Sequence, residues 1–281
     1  MFLRYLVIVI VIYAFYYHKY HYRQGEPEVF REKRIKELEF LTLDYLKEKH
    51  GKKQIIVTGN SSVNPDVGEE ARLRRMSLER FVSECMNGTD WYFKTEDSYA
   101  FLEELGLKPE LERIFSREFP KEGVIHSSFS FWCGGKGTFT AWHTDMEDMS
   151  VLYVIQGKKR VVLAPPIYDN DMYKREKYYL GSFWSEVDFL NPDLTKFPKY
   201  KNVKTREIIV NSGEAIQIPR HWWHAVENLE PTIAITYCAY THNYPLFAFP
   251  PEILRYIYYC WLKGSVILPP KVDSPKIKMT K

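Results

Sequence analysis

The chain has 281 residues, 45% hydrophobic, 16% aromatic and 27% charged. That is enough for one large globular domain with an extension, and it excludes a disordered, collagenous or disulfide-rich chain. Thirty-nine Lys and Arg against 36 Asp and Glu leave a charge of +3, too little to argue for nucleic acid or anionic lipid from bulk charge.

Residues 1–27 form the first segment, a hydrophobic anchor and stem. Tyr5 to Tyr17 carries no charge and Leu6 to Ile12 is wholly aliphatic. A spanning helix needs about 17–25 residues, a length reached here if Arg4 and Lys19 extend to the two interfaces. Tyr13, Tyr16, Tyr17, Tyr20 and Tyr22 suit an interfacial aromatic belt. No small-residue cleavage site follows, which disfavours a cleaved signal; a buried Val- and Ile-rich strand is the remaining reading. The expectation is an uncleaved single-pass membrane anchor. Lys19, Arg23, Arg31, Lys33, Arg34 and Lys36 follow it and place the large domain on the cytosolic side. Two N-x-[ST] sequons, Asn60-Ser61-Ser62 and Asn87-Gly88-Thr89, pull toward the lumenal side.

Residues 28–118 read as mostly helical. Glu28 to His50 is a charged amphipathic stretch with Ile35, Leu38, Leu41 and Tyr45 on its apolar face and Gly51 as its stop. Asn60 to Glu70 is a turn-rich loop. Ser77 can N-cap a helix that buries Leu78, Phe81, Val82 and Cys85 and stops at Gly88. Ser98 to Leu105, ended by Gly106, fits another helix, and Pro109 opens a third.

From residue 119 to 245 the texture is that of strands. Runs at Ser128–Trp132, Thr138–Trp142, Ser150–Ile155, Arg160–Ala164, Glu207–Val210, Glu214–Pro219 and Thr232–Tyr240 are separated by turn signals such as Gly134-Gly135, Gln156-Gly157 and Ser212-Gly213. Many short strands between turns predict an antiparallel sandwich or barrel. Residues 246–281 hold a helix at 251–263, apolar almost all round, and a basic tail. The four cysteines, Cys85, Cys133, Cys238 and Cys260, have no C-x-x-C spacing and suggest neither a zinc ribbon nor a disulfide framework.

The chemistry concentrates in His143-Thr144-Asp145. Residues two apart in a strand share a face, so both side chains can approach one ion. His224 lies in a second apolar segment, Pro219 to Val226. Two imidazoles and one carboxylate on one face of an octahedral metal leave three positions open, the facial arrangement of non-haem Fe(II) oxygenases. His221 competes for the third place but is three residues from His224 and faces the other way in a strand, so it reads as a rim residue. H-x-D alone is a weak signal whose plain alternative is a packed histidine beside a strand-end carboxylate; its neighbours strengthen it.

Those neighbours carry a resemblance. Phe131 to Asp145 (FWCGGKGTFTAWHTD), Val154 to Pro166 (VIQGKKRVVLAPP) and Gly213 to His224 (GEAIQIPRHWWH) resemble, in order, the metal-binding core, the following hairpin and the distal-histidine segment of the JmjC (cupin-like) 2-oxoglutarate oxygenases. Ser185 to Phe189, Asn191-Pro192-Asp193 and Lys196-Phe197-Pro198 are similar to a linker in the hydroxylase branch, which includes the asparaginyl hydroxylase of hypoxia-inducible factor. Trp91-Tyr92-Phe93 is a weaker match to the family's lead-in. The resemblance covers roughly residues 75–245 and implies a mainly β double-stranded β-helix, the jelly-roll or cupin fold of JmjC type, with an N-terminal helical region and a C-terminal helix.

The resemblance also implies a site. His143, Asp145 and His224 would hold Fe(II), with 2-oxoglutarate and O2 as co-substrates. Lys159, two residues after Gly157, matches the cation for the far carboxylate of 2-oxoglutarate; Lys158 is its twin, and alternation admits only one of them to the barrel. Thr140 matches a hydroxyl that bonds the same carboxylate. Ser150 stands where the branch commonly has Asn, and Cys238 where a second Asn is common, with Thr236 two residues earlier on the same face. Trp222 and Trp223 read as packing residues.

The function implied is hydroxylation of a protein side chain. N-methyl-lysine demethylation and RNA modification are alternatives within the family, although the small basic clusters make nucleic acid an unfavoured partner. A non-catalytic cupin-like binding module is the alternative of another class, and none of the expected ligands is missing. In the hydroxylase branch C-terminal helices often pair subunits, so residues 251–263 are expected to form a homodimer, with packing on the molecule's own helices or on the membrane as the other outcomes.

Overall fold

The computed structural model describes residues 25–59, 72–94, 96–145, 147–175, 178–179, 182–241 and 266–267. The anchor expected over residues 1–22, the loop 60–70 with the first sequon, and the helix 251–263 with the homodimer assigned to it lie outside the described residues. Among the described residues no helix is long and apolar enough to cross a membrane. The longest has 11 residues, about 16 Å at 1.5 Å per residue, roughly half the thickness of a bilayer's hydrocarbon core. The expectation of a single-pass membrane protein is corrected on that finding.

The strands are β1 (Glu28–Phe30), β2 (Gln54–Gly59), β3 (Leu73–Ser77), β4 (Trp91–Phe93), β5 (Val124–Gly134), β6 (Phe139–Thr144), β7 (Met149–Gln156) and β8 (Lys158–Ala164), then β9 (Tyr178–Tyr179), β10 (Phe183–Trp184), β11 (Arg206–Asn211), β12 (Glu214–Ile218), β13 (Trp223–Asn228), β14 (Thr232–Thr241) and β15 (Val266–Ile267), the last paired in parallel with β9. Two antiparallel sheets result, one ordered β1-β12-β7-β14-β5-β4-β2-β3 and one ordered β10-β6-β13-β8-β11. This is the expected mainly β jelly-roll; five of the seven expected strand runs lie within these strands, and those at Thr138–Trp142 and Glu214–Pro219 overrun β6 and β12 by one residue each.

Alternation sorts the core into layers. Leu152, Val154, Ile216, Ile218 and Ala234 of the large sheet meet Val161, Leu163, Val226, Ile208 and Val210 of the small one inside the barrel. The opposite faces of β6, β8 and β13 present Phe139, Trp142, Val162, Ala164, Trp223 and Ala225, covered by Met172 and Phe189 of the long β8–β11 connection. Trp223 packs in this outer layer and donates its indole N–H to Asp169 at 2.7 Å, as a packing residue should. Behind the large sheet lies a helical layer of α1 (Leu43–His50), α2 (Leu78–Asn87), α3 (Glu96–Glu104) and α4 (Lys108–Glu118). Cys85, Cys133 and Cys238 are buried free thiols.

The N-terminal region departs from the expected run of helices by holding four strands as well. Glu28 to His50 is a strand, a 3-10 turn and a helix in place of one long helix. Thr42 has an extended backbone and its hydroxyl accepts the Tyr45 N–H at 3.1 Å, so a helix begins only at Leu43. Upstream, the Ile35 N–H is taken by the Tyr153 hydroxyl at 3.0 Å; a tertiary bond has replaced the helical one. Ile35, Leu38 and Leu41 are nevertheless buried. Ser77 caps α2 as expected, accepting the Arg80 N–H at 3.3 Å, and Gly88 ends it at φ +92°.

Phe115 of α4 seals the helical layer to the large sheet, with its ring 5.5–6.1 Å from those of Phe129, Tyr153 and Tyr237. Phe115→Ala is expected to lower the unfolding free energy by about 3–5 kcal/mol, and Ser77→Ala by about 1 kcal/mol. Urea denaturation with unchanged slope measures both; a loss at Phe115 no larger than that at Ser77 would contradict this packing.

Candidate metal centre

Three neighbouring strands of the small sheet build the site. On β13, His224 faces His143 of β6 on one side and Leu163 of β8 on the other. Directly opposed residues project to the same face, so both imidazoles enter the barrel. Asp145 follows two residues after His143. Its carbonyl accepts the His221 N–H at 3.0 Å, which ties the end of β6 to the turn before β13. His221 holds that turn with φ +62° and is half-buried, so it supplies a backbone contact at the rim while His224 is buried.

The ligand atoms of His143, Asp145 and His224 all lie within 4.8 Å of one another. The Nε2 of His143 is 3.7 Å from Asp145 Oδ1, and that of His224 is 3.5 Å from Asp145 Oδ2. Each ring is fixed through its other nitrogen. His143 Nδ1 donates to the Ala141 carbonyl at 2.8 Å, and His224 Nδ1 to the Trp222 carbonyl at 3.0 Å. This places the lone pairs on the two Nε2 atoms that converge with the carboxylate. Burial, and then the neighbouring His224, hold the His143 imidazole down to about pKa 3, so it is neutral near pH 7, as ligation requires. The indole of Trp184 stacks on the His143 ring at 4.9 Å and 18°. The donor set and its spacing fit a six-coordinate divalent metal with open positions.

A cation end lies further along the same strands. Lys159 is 1% exposed, and its ammonium donates to the Tyr92 hydroxyl at 2.9 Å and to Asn228 Oδ1 at 2.7 Å. Asn228 in turn donates to Thr138 Oγ1 at 2.8 Å. Lys158 points outward and pairs with Glu230 at 3.1 Å. The hairpin sets this phase: Gly157 turns at φ +83°, and a Cβ there would lie 2.3 Å from the Pro231 carbonyl. Behind the lysine, a Cβ on Gly134 would strike Thr138 Oγ1, Tyr92 and Asn228 within 2.9 Å, so a residue without a side chain lets all three converge. Lys159 opposes Asn228, and Leu163 opposes His224; four residues separate them on β8, about 13 Å of strand.

Thr140 is buried between these ends. Three residues from His143 it should face the other way, but β6 carries an extra residue here. His224 pairs with His143 while Val226, two residues on, pairs with Thr140. This bulge at Ala141–Trp142 returns Thr140 to the inner face. Ser150 and Cys238 oppose each other across β7 and β14, with Oγ and Sγ 3.7 Å apart. Burial first, then the Glu147 and Asp145 carboxylates, push the Cys238 thiol well up, which puts this neutral pair at the Asp145 end. Thr236 is occupied by the Trp132 indole, whose N–H it accepts at 2.7 Å.

Tyr92, Asn228 and Trp184 escaped the sequence reading. Asn228 is four residues after His224, the same face by strand alternation, and a polar residue there was the available signal. Tyr92 stood inside the lead-in motif. Trp184 had no signal, because its strand of two residues is too short for a period.

A model of the cupin-like domain family matches residues 19–242 of the chain. Among curated proteins, JmjC domain-containing protein C of Dictyostelium discoideum is 39% identical over 125 residues, 43% of this chain and 30% of the relative. HSPB1-associated protein 1 of Homo sapiens is 33% identical over 108 residues, 38% of this chain and 22% of the relative. Lysine-specific demethylase JMJ31 of Arabidopsis thaliana is 33% identical over 113 residues, 40% of this chain and 20% of the relative. The matches thus span less than a third of these relatives' own length.

Burial, partly opposed by Cys133 and reinforced by Lys94, pulls Lys159 from its ordinary value of 10.5 to about 7. The unfolded chain holds this proton up to its ordinary value and the folded chain releases it near 7. Folding is therefore penalised in full below about pH 7, and the penalty fades as pH rises toward 10. Lys159→Met is expected to raise stability more at pH 6 than at pH 9, read by urea unfolding at both. An equal effect at the two values would show that Lys159 is not a desolvated cation.

Proposed function

The chain belongs to the cupin-like domain family, and on that footing we propose that it is an Fe(II)- and 2-oxoglutarate-dependent oxygenase that hydroxylates a protein side chain. The observation that carries the reading is the pairing, on the same three strands, of a two-histidine, one-carboxylate cluster with a buried lysine one strand-length away. Neither is useful to a fold without a ligand, since a buried ammonium destabilises it. When bound, Fe(II) and 2-oxoglutarate supply the O2-dependent chemistry that oxidises a C–H bond and yields succinate and CO2.

The chain's own residues do the holding. His143 and His224 present their Nε2 atoms and Asp145 adds the single negative charge. The backbone carbonyls of Ala141 and Trp222 keep the rings from turning. Lys159 takes the far carboxylate, with Tyr92 and Thr140 as hydroxyl partners, and a charge-assisted bond there repays the cost of burying the lysine. Ser150 is the nearest polar replacement for the missing Asn of the hydroxylase branch. Leu152, Val161, Leu163, Ile218 and Val226 line the interior and exclude water from the reacting carbon.

N-methyl-lysine demethylation is the second reading, favoured by the identity to the Arabidopsis protein named a lysine-specific demethylase. It would release formaldehyde from a methylated peptide, whereas hydroxylation leaves the product heavier by one oxygen.

The purified chain with Fe(II) is expected to convert 2-oxoglutarate to succinate. Asp145→Ala should lower turnover by at least about 100-fold, and Lys159→Ala should weaken 2-oxoglutarate binding by about 10–100-fold, some 1.4–2.7 kcal/mol. Lys158→Ala should change neither. Mass spectrometry of cells with the intact chain and with Asp145→Ala then identifies proteins carrying one added oxygen. Full activity of Asp145→Ala would remove it from the ligand set, and a loss at Lys158 in place of Lys159 would reverse the strand phase.

A further inference from the structure

Lys94 directly follows β4 and is two residues from Tyr92. Its side chain is half-buried and turns back along the strand. The ammonium donates to the Phe139 carbonyl at 2.9 Å, one residue before Thr140, and lies 4.8 Å from the centre of the Tyr92 ring. Lys159 approaches the same ring at 5.4 Å. The two ammonium groups are thus no more than about 10 Å apart, the sum of those two distances, with Lys159 at the hydroxyl end of the shared phenol. We propose that Lys94 is a second cation of the co-substrate pocket: it shares the Tyr92 ring with Lys159 and binds the far carboxylate of 2-oxoglutarate, setting both the affinity for that dianion and the charge state of Lys159. This rests on the reading of the pocket as a 2-oxoglutarate site.

The placement has a direct electrostatic consequence. Two like charges near one ring, one buried and one half-buried, repel, and a carboxylate entering beside both relieves the repulsion. In its absence the charge of Lys94 adds to burial in drawing the Lys159 proton off, and its field also reaches His143. Among the described residues, the ionisable groups that face Lys159 are Lys94 and Tyr92, borne on or directly after β4, and Cys133 on β5. The cost of Lys94 is a less basic Lys159; its gain is a second attraction for the anion.

The test is calorimetry of 2-oxoglutarate binding to the full chain loaded with Mn(II), from pH 6 to 9, with Mn(II) binding alone as the control for folding. In the unchanged chain affinity is expected to fall above about pH 7, as Lys159 loses its proton before the anion arrives. Lys94→Met should weaken binding about tenfold at pH 6 and move the fall-off to higher pH, with Mn(II) affinity unchanged. Lys94→Arg should restore both the affinity and the fall-off, a pairing that a merely structural role would not produce. If Lys94→Met binds 2-oxoglutarate like the unchanged chain while Lys159→Met does not, the role of Lys94 is refuted and the pocket stands. If Lys94→Met loses Mn(II) as well, or Lys94→Arg fails to restore the fall-off, Lys94 is a packing residue and the proposal fails. Absence of binding to the unchanged chain at every pH would overturn the reading of the pocket itself.

Discussion

An ammonium sealed inside a β-barrel constrains everything around it. Lys159 is 1% exposed, and its two donated bonds, to Tyr92 and Asn228, go to neutral oxygens. Neutral acceptors do not replace the hydration of a charge, and the drop of its pKa to about 7 records the deficit. The neighbours are arranged to limit it. Gly134 carries no side chain because one would occupy the space where Tyr92, Thr138 and Asn228 meet. Thr138 fixes the amide of Asn228, and its own hydroxyl donates to the Gly135 carbonyl at 2.7 Å. Four strands and a turn are thereby committed to one side chain whose burial weakens the fold, a pattern that marks a binding element more than a structural one.

The histidine cluster uses the same strands and depends on one irregularity. A regular β6 could present His143 or Thr140 to the interior, but not both, because they are three residues apart. The extra residue at Ala141–Trp142 resolves this conflict. Trp142 still faces outward, donating its indole N–H to the Tyr200 hydroxyl at 3.1 Å, and the Ala141 carbonyl is presented to His143 Nδ1. The bulge therefore serves twice, by rephasing the strand and by holding a ring.

Where the sequence reading succeeded, strand alternation was the working rule. H-x-D on one face follows from a period of two, which also separates His224 from His221 and admits only one of Lys158 and Lys159; the choice of Lys159 came from the resemblance, and the structure places His221 in a turn and Lys158 outward. The sequence reading failed where local pattern and tertiary partner disagree. Glu28 to His50 has a helical apolar period, but the Ile35 N–H is bound to Tyr153, 118 residues away, and Thr42 restarts the chain. The short strands β4 and β10 hold too few residues for any period to be seen, yet they bring Tyr92 to Lys159 and Trp184 to His143. A neutral partner such as Asn228 becomes visible only when two strands are laid side by side, because its meaning is the lysine opposite it. Thr140 was reached through resemblance, since alternation alone would have sent it to the outer face.

These features give the barrel interior a polarity along its strands. At one end Asp145 supplies the charge, beside the His143 imidazole, which burial keeps neutral, and Cys238, whose thiol holds its proton. At the other end Lys159 supplies a cation, with Lys94 near the same Tyr92 ring. Between them the walls are apolar, so the two ends are weakly screened from what lies between. An anion is drawn to the lysine end and repelled from the bare carboxylate end; a divalent cation experiences the reverse. A small dianion with a chelating head and a distant carboxylate satisfies both ends only in one orientation, and only with a metal at the histidines. The bulge in β6 and the Gly157 turn, which set the phase of β6 and β8, are what keep those two ends on one inner face.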